Sequence, residues 1–313
     1  MEPCSQAFTI DIRRLRVLRE LRERGSVGTT ALALNLTPSA VSQQIAALGR
    51  EVGAPLLAPH GRGVRLTPQA LLLLEHATVI DTQLERARAD LASFGDGAVG
   101  QVRLGAFASA ITGIVVPALG RLRLERPRLA VTVQETEAPE CFTRLDAGDL
   151  DLVITVDHHG GPLRGDARYG RLELLDDPLL VALPEDHPLA GQAAVALESL
   201  AGAAWIAGAA RGPCREVARA ACTGAGFNPD VRHFVDSWEA VLALVAAGCG
   251  VALVPRLALP AAGWPGLALR PVLGPQAPSR HLYAAVRAGS GRSPSLVPVL
   301  AALAEAAGQG LAY

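Results

Sequence analysis

The sequence predicts an α+β multidomain protein with a small helical module, then one long helix, then a larger α/β body in two lobes. Three observations carry that expectation. Short helical patterns separated by capping residues fill positions 12–48. One unbroken helical pattern runs from Pro68 to about Phe94, and from Val102 onward strand-like apolar runs alternate with helical ones. At 313 residues the chain has room for two or three domains.

In the first pattern Ile12, Leu15, Val17, Leu18 and Leu21 recur at helical spacing, with Arg13, Arg14, Arg16, Arg19 and Arg22 between them. Asp11 is placed to cap this helix and Gly25 to end it. Ser26 caps a second short helix in which Ala31 and Leu34 face inward, and Asn35-Leu36 makes a turn. Thr37 caps a third helix with Pro38 at its first position, where a missing N–H costs nothing. Ala40, Val41, Ile45 and Leu48 form its apolar side, whereas Pro38, Ser39, Ser42, Gln43 and Gln44 form an exposed N-terminal half. Next, His60-Gly61-Arg62-Gly63-Val64-Arg65 places two glycines around an arginine before a short extended run, which predicts a hairpin wing.

A winged helix-turn-helix is written this way, and it implies sequence-specific binding of double-stranded DNA. Thr37, Pro38, Ser39, Ser42, Gln43 and Gln44 would face the major groove, where glutamine can bond adenine in bidentate fashion. Arg62 and Arg65 of the wing would clamp phosphate or enter a minor groove.

The long pattern carries Leu71, Leu74, Ala77, Val79, Ile80, Leu84, Ala87, Leu91 and Phe94 on one stripe. A helix of about 27 residues is about 40 Å long, too exposed to persist unless the stripe is buried. Pairing with the same helix of a second copy, through residues 68–94, is the expected solution. Residues 95–100, GDGAVG, read as a flexible boundary.

Beyond it, strands are expected at 102–107, 130–135, 152–156 and 179–183, with helices at 112–125 and 140–147. A second set follows, with strands at 203–207, 231–235 and 251–254 and helices at 214–224 and 237–247. A last strand at 281–286 and a helix at 295–307 return to the first half. Strands separated by helices imply a mainly parallel sheet. Two such lobes joined by crossovers describe a periplasmic-binding-protein-like clamp. The expected divisions are 1–67 for the winged module, 68–98 for the linker helix and hinge, and 99–313 for the clamp. Within the clamp, lobe 1 takes about 99–178 and 271–313, and lobe 2 about 179–270.

Composition narrows the function. All 29 basic residues are Arg, so no lysine Schiff base is available and a pyridoxal enzyme of the usual kind is excluded. Residues 1–67 hold nine Arg against five acidic residues, whereas the remainder is acidic, which suits a nucleic-acid contact at one end. No apolar run reaches the length of a membrane helix, and the opening MEPCSQAFTIDIRR has no apolar stretch behind a basic start, so no membrane partner and a cytoplasmic location are expected. Cys4, Cys141, Cys214, Cys222 and Cys249 form no C-x-x-C pair, which fits reduced thiols. His158, His159 and His187 lack partners at ligand spacing, so neither a metal nor another cofactor is expected. Asp149 and Asp151 suit a helix-to-strand turn better than paired catalytic carboxylates, and no nucleophile elbow, P-loop or dinucleotide fingerprint occurs.

Residues 10–95 resemble the N-terminal region of LysR-type transcriptional regulators. The resemblance is carried by Gly25-Ser26, Ala31, Leu34, the run Thr37 to Ile45, Leu48, Gly53, Pro55-Leu56 and Gly61 to Thr67, and it extends over nearly the whole chain. It implies a non-enzymatic regulator whose linker helix makes the dimer, whose usual assembly is a dimer of dimers on promoter DNA, and for which RNA polymerase is a further partner. It also places a small-molecule effector between the lobes. In an open α/β lobe such a site lies beyond the carboxyl ends of the strands. That rule selects Ala108, Ser109, Ala110, Thr136, Thr155 and Val156 from the first lobe, and Gly208, Asp236, Ser237 and Pro255 from the second. Ser109 and Ser237 each stand at an expected helix start, where free N–H groups favour a carboxylate or other small anion. Asp236 at the rim could instead select a ligand with a donor group. Two alternatives stay open: a solute-binding module of the same clamp design without a DNA role, and a thiol-redox regulator using Cys214 and Cys222, which lie eight apart as in peroxide-sensing members of the family.

The chain departs from the family at Ala46-Ala47, where a basic pair is usual, at Gly49, where Glu is usual, at Leu57-Ala58-Pro59 before the wing, and at Gln69-Ala70-Leu71 after it. Fewer phosphate contacts follow. A salt titration of nonspecific DNA binding is expected to give a shallow dependence of log K on log salt, and a slope matching roughly six or more phosphate contacts would overturn this.

Overall fold

A computed structural model of the protein describes residues 10–60, 63–93, 100–158, 161–208, 213–260, 263–274 and 277–309. The chain divides into two compact units, the first ending at Leu84 and the second starting at Glu85.

The first unit contains α1 (Ile12–Arg24), α2 (Val27–Ala33), α3 (Pro38–Val52), the hairpin β1 (Leu57–His60) with β2 (Gly63–Leu66), and the start of α4 (Pro68–Ser93). Its helix ends are fixed by capping side chains. Asp11 accepts from Arg13 N at 2.9 Å, Ser26 from Thr29 N at 3.2 Å and Thr37 from Ala40 N at 3.1 Å. Gly25 and Gly53 end α1 and α3 in the left-handed conformation, with φ 72° and 67°. Leu18, Val41, Ile45 and Leu48 are fully buried between the three helices.

The stripe expected to pair α4 with a second copy is divided. Ala70, Leu74 and Ala77 are buried in the core of the helix-turn-helix itself, and Arg19 Nη2 bonds Asp81 Oδ2 at 2.6 Å. Leu72, Val79, Ile80, Leu84 and Leu91 remain exposed. Periodicity reports an apolar face without saying which neighbour covers it, and here the helix-turn-helix, not a second copy, covers Leu74 and Ala77. Phe94 lies outside the described residues. At Gly49 a Cβ would come within 3.1 Å of the Ala54 carbonyl oxygen, so the glycine allows the chain to turn back tightly after α3.

The second unit opens with β3 (Gly100–Ala106), α5 (Ala108–Ala110), a π-helical turn (Ile111–Val115) and α6 (Val116–Glu125). There follow β4 (Leu129–Glu135), α7 (Glu140–Ala147), β5 (Leu152–Val156) and the sixteen-residue β6 (Tyr169–Pro184). The chain continues through β7 (Ala204–Gly208), α8 (Pro213–Gly224), β8 (Asp230–Val235), α9 (Trp238–Ala246) and β9 (Ala252–Pro255). It closes with β10 (Leu267–Pro271), β11 (Ser279–Arg287) and α10 (Leu296–Gln309).

Only β3 with β4, β3 with β5, and β7 with β8 are parallel pairs among the named strands. The others are antiparallel: β11 with β5 and β6, and β6 with β9 and β10. The mainly parallel sheet expected from strand–helix alternation is therefore corrected. The reason is the double crossing between lobes. The first half of β6 pairs with β11 in one lobe, its second half pairs with β9 and β10 in the other, and β11 runs back. Each lobe has its own core, one around Leu104, Ile114, Ile154, Leu282 and Leu303, the other around Leu179, Leu183, Leu200, Trp205 and Val251. Leu257, which follows β9, packs against the first of these, and a Cβ at Gly113 would collide with its side chain. No helix of the described residues is long and apolar enough to cross a membrane.

Asp151, just before β5, accepts from the Arg103 backbone N–H at 3.0 Å, from its Nε at 3.0 Å and from its Nη2 at 2.9 Å. Burial pushes this carboxyl up, but the Arg103 bonds and the charges of Arg103 and Arg287 more than reverse that and hold it below its ordinary value. Stability from a depressed carboxyl is present above its unfolded pKa of about 3.9 and is lost as pH falls through the folded value. Asp151→Asn is expected to cost about 1–2 kcal/mol at neutral pH and little at strongly acid pH, read by urea denaturation across a pH series. An equal loss at both ends would refute the linkage.

Candidate functional site

Two surfaces carry the candidate chemistry. On the first unit, Thr37, Pro38, Ser39, Ser42, Gln43 and Gln44 are all exposed on the N-terminal half of α3. Three of them have local roles. Thr37 caps the helix, Ser42 Oγ donates to the Pro38 carbonyl at 3.0 Å, and Gln44 Oε1 accepts from Arg14 Nε at 3.3 Å. Arg14 in turn is bonded to Glu51, which ties α1 to the middle and the C-terminal end of α3. Gln43 is exposed and has no side-chain partner among the described residues. Arg65 is exposed on β2 opposite Ala58, while Gly61 and Arg62 lie outside the described residues.

On the second unit, a cavity of about 520 Å³ opens between the lobes. Of the residues selected from the sequence, Ala108, Ser109, Thr155 and Val156 line it from the first lobe, and Gly208, Asp236 and Ser237 from the second. Three do not line it. Ala110 is fully buried in the first core, Pro255 pairs with Leu179 in the sheet, and Thr136 is buried with no partner for its Oγ1 among the described residues. The rule of strand ends selects a chain position, and it does not say which way the next side chain faces.

Ser109 is not the helix cap its position suggested. The cap residue of α5 is Phe107, and Ser109 is buried at the second helical position, where its Oγ accepts from Arg280 Nη2 at 2.8 Å. Ser237 is the cap of α9, accepting from Ala240 N at 3.5 Å.

Arg280 lines the cavity and is the main functional side chain that the sequence reading missed. It is 4% exposed, and its Nε donates to Asp177 Oδ2 at 2.8 Å. Asp177 is itself 0% exposed and also accepts from Leu257 N at 2.9 Å. The two charges face each other in register across β6 and β11, where both strands pass between the lobes. Burial pushes the Asp177 carboxyl up, and the Arg280 charge and the backbone N–H groups of Leu257 and Arg256 oppose it. The Arg280 guanidinium also stacks over Phe107, 4.9 Å from the ring centre. The sequence carried a partial signal, because Asp177 interrupts the apolar run from Leu172 to Leu183, whereas Arg280 stands outside the apolar run that begins at Leu282.

Glu135, Glu137, Trp238 and Glu239 also line the cavity. Glu137 is raised above its ordinary value by burial, opposed by Arg280, with Glu135 and Asp236 adding to the rise. Cys214 and Cys222 both lie on α8, so a separation of eight residues spans about 12 Å, beyond disulfide reach. Burial pushes both thiols up to about 11. Such thiols are protonated and weakly nucleophilic near neutral pH. His158 Nδ1 is 3.0 Å from the Val156 carbonyl and His187 Nδ1 accepts from Leu189 N at 3.2 Å, while His159 lies outside the described residues.

A capped helix with an exposed polar end joined to a hairpin, and a two-lobed receptor domain closed around a cavity, together define a ligand-responsive DNA-binding regulator. Residues 12–71 match the bacterial regulatory helix-turn-helix protein model of the lysR family, and residues 95–308 match the LysR substrate binding domain. The chain belongs to the LysR family of DNA-binding transcriptional regulators. It is 26% identical over 300 residues to the HTH-type transcriptional regulator XapR of Escherichia coli, covering 96% of this chain and 99% of that one. It is 29% identical over 283 residues to MetR of Salmonella typhimurium, covering 90% and 86%. Among solved structures, a peroxide-bound OxyR mutant of Corynebacterium glutamicum shares the fold with a TM-score of 0.62 at 23% identity, covering 97% of this chain and 94% of that one. Full-length CbnR in complex with its target DNA shares it with a TM-score of 0.56 at 20% identity, covering 95% and 100%.

Removing one member of the buried pair leaves the other charge without compensation. Arg280→Met is expected to cost about 3–5 kcal/mol in urea denaturation. The double variant with Asp177→Leu should recover a good part of that loss, and strictly additive losses would show that the two side chains do not act as a pair.

Proposed function

We propose that α3 reads an operator in the major groove, that the wing holds the DNA backbone, and that a small molecule bound between the lobes sets the affinity for DNA. The cavity is the observation that carries the reading. Its walls come from both lobes and include Arg280, which is bonded to Asp177 behind it at the crossing of the two linking strands. A ligand touching both walls binds the two lobe settings with different affinity, which is the requirement for shifting a two-state equilibrium. The cavity binds its ligand without turning it over. The exposed row Leu72, Val79, Ile80, Leu84 and Leu91 on α4 supports pairing with a second copy, as a dimer or as a dimer of dimers.

The division of labour on DNA follows from the two exposed elements. Ser42 and Gln44 make local bonds, whereas Ser39 and Gln43 make none among the described residues, and of these two only Gln43 can bond adenine in bidentate fashion, so it is assigned as the base reader. In a competition assay across operator variants, Gln43→Ala is expected to lose about 1–3 kcal/mol of discrimination at one base position. Arg65→Ala should weaken all sequences alike and lower the salt slope by about 1. The opposite pattern would show that the reading and holding elements were exchanged.

A further inference from the structure

Past Gln43, the exposed face of α3 continues to the C-terminal end of the helix. Ser39, Gln43, Ala46 and Arg50 are all exposed. At about 100° per residue they lie within about 60° of one another around the helix axis. The face therefore ends on a guanidinium. Glu51, the next residue, is turned to the start of α1, where it is bonded to Arg14 and accepts from Asp11 N at 3.3 Å. Ala46, Ala47, Gly53 and Ala54, one turn to either side of Arg50, carry no charge. Arg50 itself has no hydrogen bond or ion pair among the described residues.

A groove of about 510 Å³ runs beside this face. Ser42, Ala46 and Arg50 of α3 line one side, and Ala54, Pro55 and Leu57, which lead into the wing, line the other. Two glycines shape it. Gly53 turns the chain back in the left-handed conformation, and Gly49 lets the Ala54 carbonyl approach α3. Thr67 fixes the far wall, donating from Oγ1 to the Pro55 carbonyl at 2.7 Å and from its N–H to the Leu56 carbonyl at 3.1 Å. Among the described residues, Arg50 is the only charged side chain in the lining.

We propose that this groove seats one sugar-phosphate strand of the DNA, with Arg50 holding a phosphate and the small side chains of Ser42, Ala46 and Ala54 letting the backbone come close. This rests on α3 being the reading element, as proposed above. Distance decides between base and phosphate. Arg50 lies seven residues beyond Gln43, about 10 Å along the axis, and the major groove is about 12 Å wide. With the N-terminal half of the helix against base edges, a residue that far along has left the floor of the major groove for its rim, where the phosphates are. The planar fork of a guanidinium suits two phosphate oxygens. Such a contact positions the helix without reading sequence. One contact of this kind leaves the shallow salt dependence expected above in place.

The test follows the full-length protein by fluorescence anisotropy on two duplexes of equal length, one selected by the protein from a random-sequence library and one of mixed sequence outside that selection. Arg50→Ala is expected to weaken binding about three- to tenfold on both and to lower the salt slope by about 1. Arg50→Lys keeps the slope. Ala54→Phe, which fills the groove from the wall opposite α3, should weaken both duplexes as well, and binding that tolerates this bulk removes the groove as the seat. An unchanged slope in Arg50→Ala overturns the inference, since a cation that only answers the C-terminal end of the helix dipole would lower the midpoint of thermal unfolding and leave the slope alone. A loss confined to the selected duplex also overturns it, making Arg50 a base reader. Gln43→Ala separates this proposal from the reading beneath it. Discrimination lost in Gln43→Ala with an unchanged slope in Arg50→Ala removes only the phosphate seat. Unchanged binding in both variants removes α3 as the DNA element.

Discussion

The second unit depends on one buried ion pair, Asp177 with Arg280, placed where the only two strands linking the described lobes pass each other. Taking two charges out of water costs several kcal/mol each, and only close geometry with further hydrogen bonds returns that cost. Here the remaining capacity is filled from both sides. Ser109 comes from the first lobe, and Leu257 N comes from the segment after β9. The pair therefore fixes register between β6 and β11 and also defines where the lobes are tied. Arg280 also lines the cavity, so one member of the tie is part of the cavity wall.

Much of the fold was legible because caps and stops are local chemistry. Asp11, Ser26, Thr37 and Ser237 each hold a backbone N–H within three residues, so their meaning is contained in the sequence around them. The first half of β6 was not legible. Arg171, Glu173 and Asp176 interrupt its apolar residues, and in the fold they form a polar edge with Asp157 and His281 that no short window can anticipate. The antiparallel pairings were hidden for the same reason, because they join positions about a hundred residues apart.

The candidate sites show the same boundary between local and long-range information. Exposure of Ser39, Ser42 and Gln43 follows from helical spacing alone. Arg280 and Ser109 meet across 171 residues of sequence, and neither residue's own surroundings predict the other. Departures from the family pattern also change meaning once packing is known. Gly49 appears in the sequence as a weak helix former, whereas in the fold it allows the Ala54 carbonyl to approach closely. The penalty of about 1 kcal/mol for glycine in a helix is set against a tight exit from α3 that a larger residue would crowd.

Leu257 is held twice, by its backbone N–H on Asp177 and by its side chain against Gly113 in the π-helical turn of the opposite lobe. This makes the contact a joint between the lobes with a socket that a single methyl group at 113 would fill. The fit between the lobes can then be altered at position 113 alone, which lines neither the cavity nor the exposed half of α3.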